Sequence, residues 1–295
     1  MAADIPSLPT LSGAFVQTTN YLNVPGATLY YETYGTGPLI LFISGGNGHA
    51  DIWRPVAKVL ASNYTVAIYD RRGFSRSLLS PTAIQDYSKR IETDATDAKL
   101  LLEKLAPNAT KDATVFGTSS GAIIALQFLQ MFPEVAKTVA IHEPPLVKIL
   151  PDAAPLDAKQ RELYDIYRAY GIPAAMLKFA EVYFFEISST TSISLPDARE
   201  NPHEPNNMQY WFEREFLQYP LRDMSLEEIG KQSKKLVLTN GKTTNPQAPQ
   251  YRTNVVMGER FGLDVAGLAG GHMGYQGGGG AAWAEDLLEV LKGRE

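Results

Sequence analysis

Between Ala113 and Pro133 the chain reads ATVFGTSSGAIIALQFLQMFP. Its first residues, Ala113 to Phe116, predict a short strand, and the apolar run from Ser120 to Phe132 predicts a helix that the following proline ends. The turn between them, Gly117-Thr118-Ser119-Ser120-Gly121, matches the G-x-S-x-G pattern of a nucleophile elbow. In such a turn the serine has a strained backbone and stands at the positive end of the helix. Ser119 is therefore the candidate nucleophile, and the alternative is a tight turn in an unrelated sheet protein.

Strands and helices alternate on both sides of this turn. A mostly parallel α/β sheet with helices on both faces is the expected fold class, and ligands of such sheets bind outside the carboxyl ends of the strands. A glycine-marked break at Gly35-Thr36-Gly37-Pro38 also predicts a hairpin between Leu29–Thr33 and Leu39–Ile43. The further predicted strands are Tyr64–Tyr69, Thr138–Ile141, Lys235–Thr239 and Leu263–Leu268.

The pattern changes between residues 146 and 225, where helical segments without clear strands are crowded with aromatic residues. We interpret this range as an inserted helical cap, and residues 1–145 and 226–295 as the α/β core around it. Aromatic residues at helical spacing are usually core, so at most a few of them should touch a substrate. The candidates for that contact are Tyr183, Phe184, Tyr210, Trp211 and Phe212.

Composition excludes several functions. The 295 residues contain no Cys and only 4 His, which removes thiolate metal sites and leaves a multi-histidine centre poorly supplied. We expect neither a metal nor an organic cofactor. The formal net charge is -5 and no basic cluster exceeds Lys234-Lys235, which argues against nucleic acid or a membrane surface as partner. The sequence begins without a basic segment followed by a long apolar run, so we expect no signal peptide and a cytoplasmic location. The oligomeric state stays open.

A serine hydroxyl needs an imidazole to accept its proton. Of the four histidines, His272 is the best candidate for this general base. It follows the last predicted strand in the loop Gly270-Gly271-His272-Met273-Gly274, at the same edge of the sheet as Ser119. The alternative is a structural histidine.

Acyl transfer also creates an oxyanion, which needs two backbone N–H donors. One donor usually comes from the residue after the nucleophile, here Ser120. The glycine-rich turn Ser44-Gly45-Gly46-Asn47-Gly48 follows the first long strand and lets backbone approach a ligand, so Gly46 is the second candidate. These glycines could instead serve only to form a tight turn.

Together these features resemble the α/β-hydrolase family from Tyr30 to Leu291. The resemblance rests on Ser44-Gly45-Gly46 before Trp53, on the stretch Tyr69–Ser77, on the elbow, and on Gly271-His272. It implies an eight-stranded, mostly parallel sheet, a cap after the sixth strand, and the chain order nucleophile, acid, histidine.

The usual acid of that family is missing. It should follow the seventh strand, but Ile229–Gly258 contains no Asp or Glu. Glu143, after the sixth strand, can serve instead, and this arrangement is similar to the fungal zearalenone lactonases, which use a glutamate at that position. The resemblance implies a triad of Ser119, Glu143 and His272. Glu143 could also be an ordinary hinge residue of the cap, and Asp264 is the alternative acid.

The expected function is a serine hydrolase that cleaves a hydrophobic carboxylic ester or lactone through an acyl-enzyme. The resemblance to the lactonases implies a resorcylic lactone substrate and a role in mycotoxin degradation. Haloalkane dehalogenases and epoxide hydrolases need a carboxylate at the elbow. This chain has Ser119 there, so we expect neither activity. The alternative is a lyase or a ligand-binding protein on the same fold, since fold does not settle function.

Overall fold

The computed structural model describes residues 17–107, 110–185 and 202–293. Within these ranges one sheet has the strand order β1-β2-β4-β3-β6-β7-β8-β9, and the two-residue strand β5 pairs with β2 outside this path. The bounds are β1 (Gln17–Val24), β2 (Ala27–Tyr34), β3 (Leu39–Ile43), β4 (Thr65–Tyr69), β5 (Leu78–Leu79), β6 (Thr114–Thr118), β7 (Thr138–His142), β8 (Leu236–Gly241) and β9 (Val265–Leu268). Strands from β3 onward along this path pair in parallel, which confirms the predicted fold class.

The predicted hairpin between Leu29–Thr33 and Leu39–Ile43 is wrong. Strand β4 lies between β2 and β3, and β2 instead forms its hairpin with β1, around a turn in which Gly26 has a φ of 79°. All five residues of β3 are buried. A strand that is buried on both faces belongs in the interior of a parallel sheet. The glycine-rich connection therefore carries the chain from the antiparallel edge to the centre, where β3 pairs with β4 and β6.

Helices cover both faces of the sheet. On one face α1 (Arg54–Leu60) packs with α9 (Gly280–Lys292) over a core that includes Trp53 and Trp283. The other face carries α2 (Arg90–Leu105), α3 (Ser120–Met131) and residues of α7 (Leu226–Gly230) and α8 (Pro249–Phe261). Helix α3 is almost wholly buried, in agreement with its mostly apolar sequence.

Three helices of the predicted cap lie between β7, the sixth of the eight strands on the sheet path, and β8. They are α4 (Ala153–Tyr170), α5 (Ile172–Tyr183) and α6 (Glu204–Arg214), and their aromatic side chains share a cluster with Phe74 of the core. Residues 186–201 of the cap lie outside the described ranges. The division into core and cap stays a prediction. Within the described part of the chain, no helix combines the length and the apolar character needed to cross a membrane.

Candidate active site

Ser119 sits in a strained turn between β6 and α3. Its φ of 53° and ψ of -124° are unusual for a residue with a side chain, and such a conformation costs on the order of 1–3 kcal/mol. A Cβ at Gly117 would lie 2.2 Å from the Gly121 carbonyl oxygen, and one at Gly121 would lie 2.3 Å from the Ile43 carbonyl oxygen. Only glycine fits at either position, so the sequence pattern reflects a steric requirement of this turn.

Glu143 follows β7 and is completely buried. Its Oε2 lies 2.7 Å from Nδ1 of His272, and its Oε1 accepts the Gly241 N–H at 2.7 Å. Burial by itself raises the pKa of Glu143, but the contact with His272, together with the Gly241 N–H, lowers it to about 2. The carboxyl group is therefore ionised at neutral pH.

His272 lies in the loop after β9, and 9% of its surface is exposed. The edge of Phe185 meets its ring, with the centroids 5.3 Å apart, and the ring of His142 stacks beside it at 6.0 Å. Asp264, the alternative acid, is exposed and precedes the first residue of β9. That position is at the opposite end of the strand from His272, so Glu143 is the carboxylate that the structure brings to this histidine.

His142 is a buried neighbour that the sequence did not single out for a role. Its Nδ1 lies 3.1 Å from Oγ1 of Thr239, whose own hydroxyl donates to the Ile141 carbonyl. Because that proton is already committed, Nδ1 of His142 must be the donor. Burial lowers the pKa of His142 to about 4, so the ring is neutral at physiological pH.

The predicted oxyanion donors lie close to Ser119. A Cβ placed on Gly45 would be 3.0 Å from Cβ of Ser119, so the peptide that joins Gly45 to Gly46 runs beside the nucleophile. Ser120 is buried and opens α3. Gly46 has no room for a side chain, because its Cβ would lie 2.6 Å from the indole of Trp211.

A cavity joins Ser119 and His272. Of the predicted substrate contacts, Tyr183 and Trp211 line it. Its volume is about 20 Å³, room for roughly one water molecule, so an ester substrate can be accommodated only when lining side chains move apart. The other lining residues are Ser120, Pro145, Gln160, Phe179, Phe185, Pro220 and Gln250.

The structure does not bring the other three predicted aromatics to this cavity. Phe184 points outward with 43% of its surface exposed. Tyr210 accepts a hydrogen bond from Arg90 and covers Gly73, while Phe212 stacks on Tyr167 inside the cap cluster, with ring centroids 4.4 Å apart. Phe212 therefore packs within the cap, and Tyr210 attaches the cap to the core.

Two glutamines of the cavity wall, Gln160 and Gln250, were not predicted from the sequence. Gln160 is held at both ends, since it accepts from the Tyr183 hydroxyl and donates to the Phe216 carbonyl. Gln250 donates to the Tyr183 carbonyl at 3.0 Å, but its Oε1 has no hydrogen-bond partner among the described residues. Gln250 lies in the first turn of α8, and nothing in the surrounding sequence marks it as a cavity residue.

His142, Glu143 and His272 offer ligand atoms within 4.8 Å of one another, a spacing that a metal ion could use. Both Glu143 oxygens already accept hydrogen bonds, and Nδ1 of His142 is engaged by Thr239. A cation would have to break the Glu143–His272 contact. The donor set therefore fits an acid–histidine pair better than a metal centre.

Comparison with known proteins agrees with this architecture. The profile of the alpha/beta hydrolase fold matches residues 38–251. The uncharacterized hydrolase YraK of Bacillus subtilis (strain 168) is 32% identical over 257 residues, which are 86% of this chain and 89% of YraK. Zearalenone hydrolase of Bionectria ochroleuca is 31% identical over 135 residues, 44% of this chain and 48% of that protein. The thermophilic esterase of Thermogutta terrifontis superposes with a TM-score of 0.66 at 17% identity, covering 93% of this chain and 99% of the esterase.

The family match spans well over half of the chain, and the YraK alignment spans most of both proteins. The chain therefore belongs to the α/β-hydrolase family and is a hydrolase of that family. The esterase, at its low identity, shares the fold alone.

Proposed function

We propose that the protein is a serine hydrolase that cleaves a hydrophobic carboxylic ester or lactone through an acyl-enzyme. The observation that carries the proposal is the 2.7 Å contact between Oε2 of Glu143 and Nδ1 of His272, a histidine that lines the same cavity as Ser119. A buried carboxylate on one imidazole nitrogen leaves the other nitrogen free to act as a base.

The reaction proceeds in two halves. Oγ of Ser119 attacks the carbonyl carbon of the substrate while Nε2 of His272 takes the proton of the serine hydroxyl. The new oxyanion accepts hydrogen bonds from the backbone N–H groups of Gly46 and Ser120. When the tetrahedral intermediate collapses, the alkoxide leaves with the proton from His272. Water then attacks the acyl-enzyme with His272 again as base, which releases the acid and restores the Ser119 hydroxyl.

Glu143 acts through His272. The ionised carboxylate accepts a hydrogen bond from the Nδ1–H of His272, so Nε2 carries the lone pair that faces the serine. The negative charge of Glu143 also stabilises the imidazolium that forms during attack. Its low pKa supports this role, because the group keeps its charge across the pH range in which a histidine base is active.

The cavity wall supports a hydrophobic, aromatic substrate. Phe179, Tyr183, Phe185 and Trp211 supply aromatic surface. Oε1 of Gln250, which has no hydrogen-bond partner in the described part of the chain, offers an acceptor to a hydroxyl or amide of the substrate. A buried acceptor without a partner costs about 1–3 kcal/mol, which a donor on the substrate would recover. The similarity to zearalenone hydrolase supports a resorcylic lactone as the first compound to test.

The test is a hydrolysis screen over resorcylic and other aromatic lactones and simple aryl esters, with purified wild-type protein and Ser119→Ala. We expect at least one aromatic ester or lactone to be cleaved, and the rate in Ser119→Ala to fall by at least about 10³-fold. An unchanged rate in the variant, or cleavage of none of these substrates by folded wild-type protein, contradicts the proposal.

A further inference from the structure

Arg71 lies beneath the oxyanion loop, defined here as Ser44–Gly48. Its side chain is completely buried, and Nη2 donates to the Gly45 carbonyl at 2.7 Å. The backbone N–H of Arg71 donates to the Gly48 carbonyl at 2.8 Å. A single residue therefore holds both the catalytic end and the far end of this loop.

The Gly45 carbonyl and the Gly46 N–H belong to one peptide unit. Because that unit is planar and trans, its C=O and N–H point in opposite directions. A carbonyl fixed on Arg71 therefore fixes the direction of the Gly46 N–H, in a peptide whose Gly45 Cβ position lies 3.0 Å from Cβ of Ser119. The same carbonyl also accepts the Gly48 N–H at 3.0 Å within the loop, so the turn and the Arg71 guanidinium together set the orientation of the Gly46 donor.

The cap holds that guanidinium. Glu215, which directly follows α6, accepts from both Nη atoms of Arg71, at 2.7 and 2.8 Å. Trp211, one turn earlier in α6, covers Gly46 from the other side. Asp94 and Arg90 complete the buried cluster: Asp94 contacts Arg71 at 3.2 Å and Arg90 contacts Glu215 at 3.3 Å, so two positive charges face two negative ones.

We propose that Glu215 is a positioning residue for the oxyanion hole: by clamping Arg71 on the Gly45 carbonyl, it aims the Gly46 N–H at the developing oxyanion. The inference rests on the proposed function, because it needs an oxyanion at Ser119. It also links two parts of the molecule, since the catalytic geometry of the core is complete only while the end of α6 is docked on it.

The test compares Glu215→Gln with Asp97→Asn. Asp97 forms a buried bidentate pair with Arg72, with both contacts at 2.6 Å, next to the cluster but without a contact to the oxyanion loop. Both variants replace one carboxylate by an amide in a buried arginine pair, so the loss of stability should be similar. The measurements are kcat and KM for a small activated ester, the inhibition constant of an aryl trifluoromethyl ketone, and thermal unfolding. The ketone forms a tetrahedral oxyanion with the serine, so its affinity reports on the hole itself.

Loss of one oxyanion donor costs about 10²–10³-fold in kcat, and a misdirected donor should cost part of that, about 10-fold or more. In Glu215→Gln we expect kcat and the ketone affinity to fall together by this factor with KM nearly unchanged. In Asp97→Asn we expect both to stay within about 3-fold of wild type, the size of a remote effect. Equal losses in the two variants, or wild-type kcat and ketone affinity in folded Glu215→Gln, overturn the inference.

Failure of Glu215→Gln to fold and failure of the wild-type protein to react have different meanings. If Glu215→Gln does not fold, Glu215→Asp replaces it: the charge remains, but the shorter side chain cannot reach both Nη atoms, so the same joint loss is expected and wild-type values overturn the inference. If wild-type protein neither hydrolyses an ester nor binds the ketone, the proposed function itself fails. Active wild-type protein with no difference between the variants contradicts only the positioning role.

Discussion

Replacement of Glu143 by glutamine isolates the charge of the acid. The side chain keeps its size, and its amide oxygen can still accept the Gly241 N–H, but it can place an N–H where the carboxylate oxygen faced Nδ1 of His272. The histidine is then pushed toward the wrong tautomer, with its proton on the nitrogen that should accept from Ser119. We expect the variant to fold and to hydrolyse slowly.

The size of the loss follows from the ionisation of Glu143. The gap between its pKa of about 2 and the ordinary value of 4.5 corresponds to on the order of 3 kcal/mol in favour of the charged form. If the imidazolium loses a similar amount of stabilisation in the transition state, the rate falls by roughly 10²-fold. The tautomer error adds to this, so the expected range is about 10²- to 10⁴-fold.

The assay is steady-state hydrolysis of an activated aryl ester, with thermal unfolding as the check on folding. Asp264→Asn is the control, because Asp264 is the alternative acid and is exposed before β9. It should stay within about 3-fold of wild type, as expected for a surface change. A larger loss in Asp264→Asn than in Glu143→Gln would refute the assignment of the acid, and the similarity to zearalenone hydrolase would then reduce to a shared fold.

Three other outcomes are expected. Phe179→Ala, which removes aromatic contact surface from the cavity wall, should change the ratio of the rates on a bulky aromatic ester and on a small activated ester by about 10-fold; equal changes in a two-substrate assay would mark it as a packing residue. Gly46→Ala should lower kcat by at least about 10²-fold, because the new methyl group would meet Trp211 at 2.6 Å; stopped-flow acylation rates would show it. The pKa of His142 is about 4 in the folded chain against 6.5 ordinarily, so the unfolded chain binds its proton more readily and stability is lost as pH falls from 6.5 to 4. Chemical denaturation across that window should show a loss of about 3 kcal/mol in the free energy of unfolding, and this loss should be absent in His142→Phe. The same dependence of unfolding free energy on pH in His142→Phe would exclude His142 as its source.

Local patterns predicted most of the fold and the candidate residues Ser119, Glu143 and His272, which the structure places near one another. The elbow could be recognised because its glycines are forced by backbone contacts within a few residues, as the clashes at Gly117 and Gly121 show. The apolar sequence of β3 likewise predicts its burial. The apolar sequence of β3 does not indicate which strands it pairs with. The predicted hairpin was wrong because the order of strands in the sheet depends on this pairing, which the local sequence pattern does not encode.

The cavity wall and the buried charge cluster could not be predicted in this way. Arg71 and Glu215 are 144 residues apart in sequence and meet only when the cap packs on the core. Phe179 and Phe184 are both aromatic residues of the same helix region, yet one lines the cavity and the other is exposed. Helical spacing identifies an apolar stripe but not which neighbour it faces.

The central claim is that Ser119 becomes covalently attached to the substrate. The most direct measurement is reaction of the protein with a fluorophosphonate, followed by peptide mass spectrometry and by assay of the remaining hydrolysis of an aryl ester. The account predicts a single adduct on Ser119, loss of activity in proportion to labelling, and no adduct in Ser119→Ala. An adduct on another residue, or full hydrolytic activity in protein whose Ser119 is completely labelled, would contradict it.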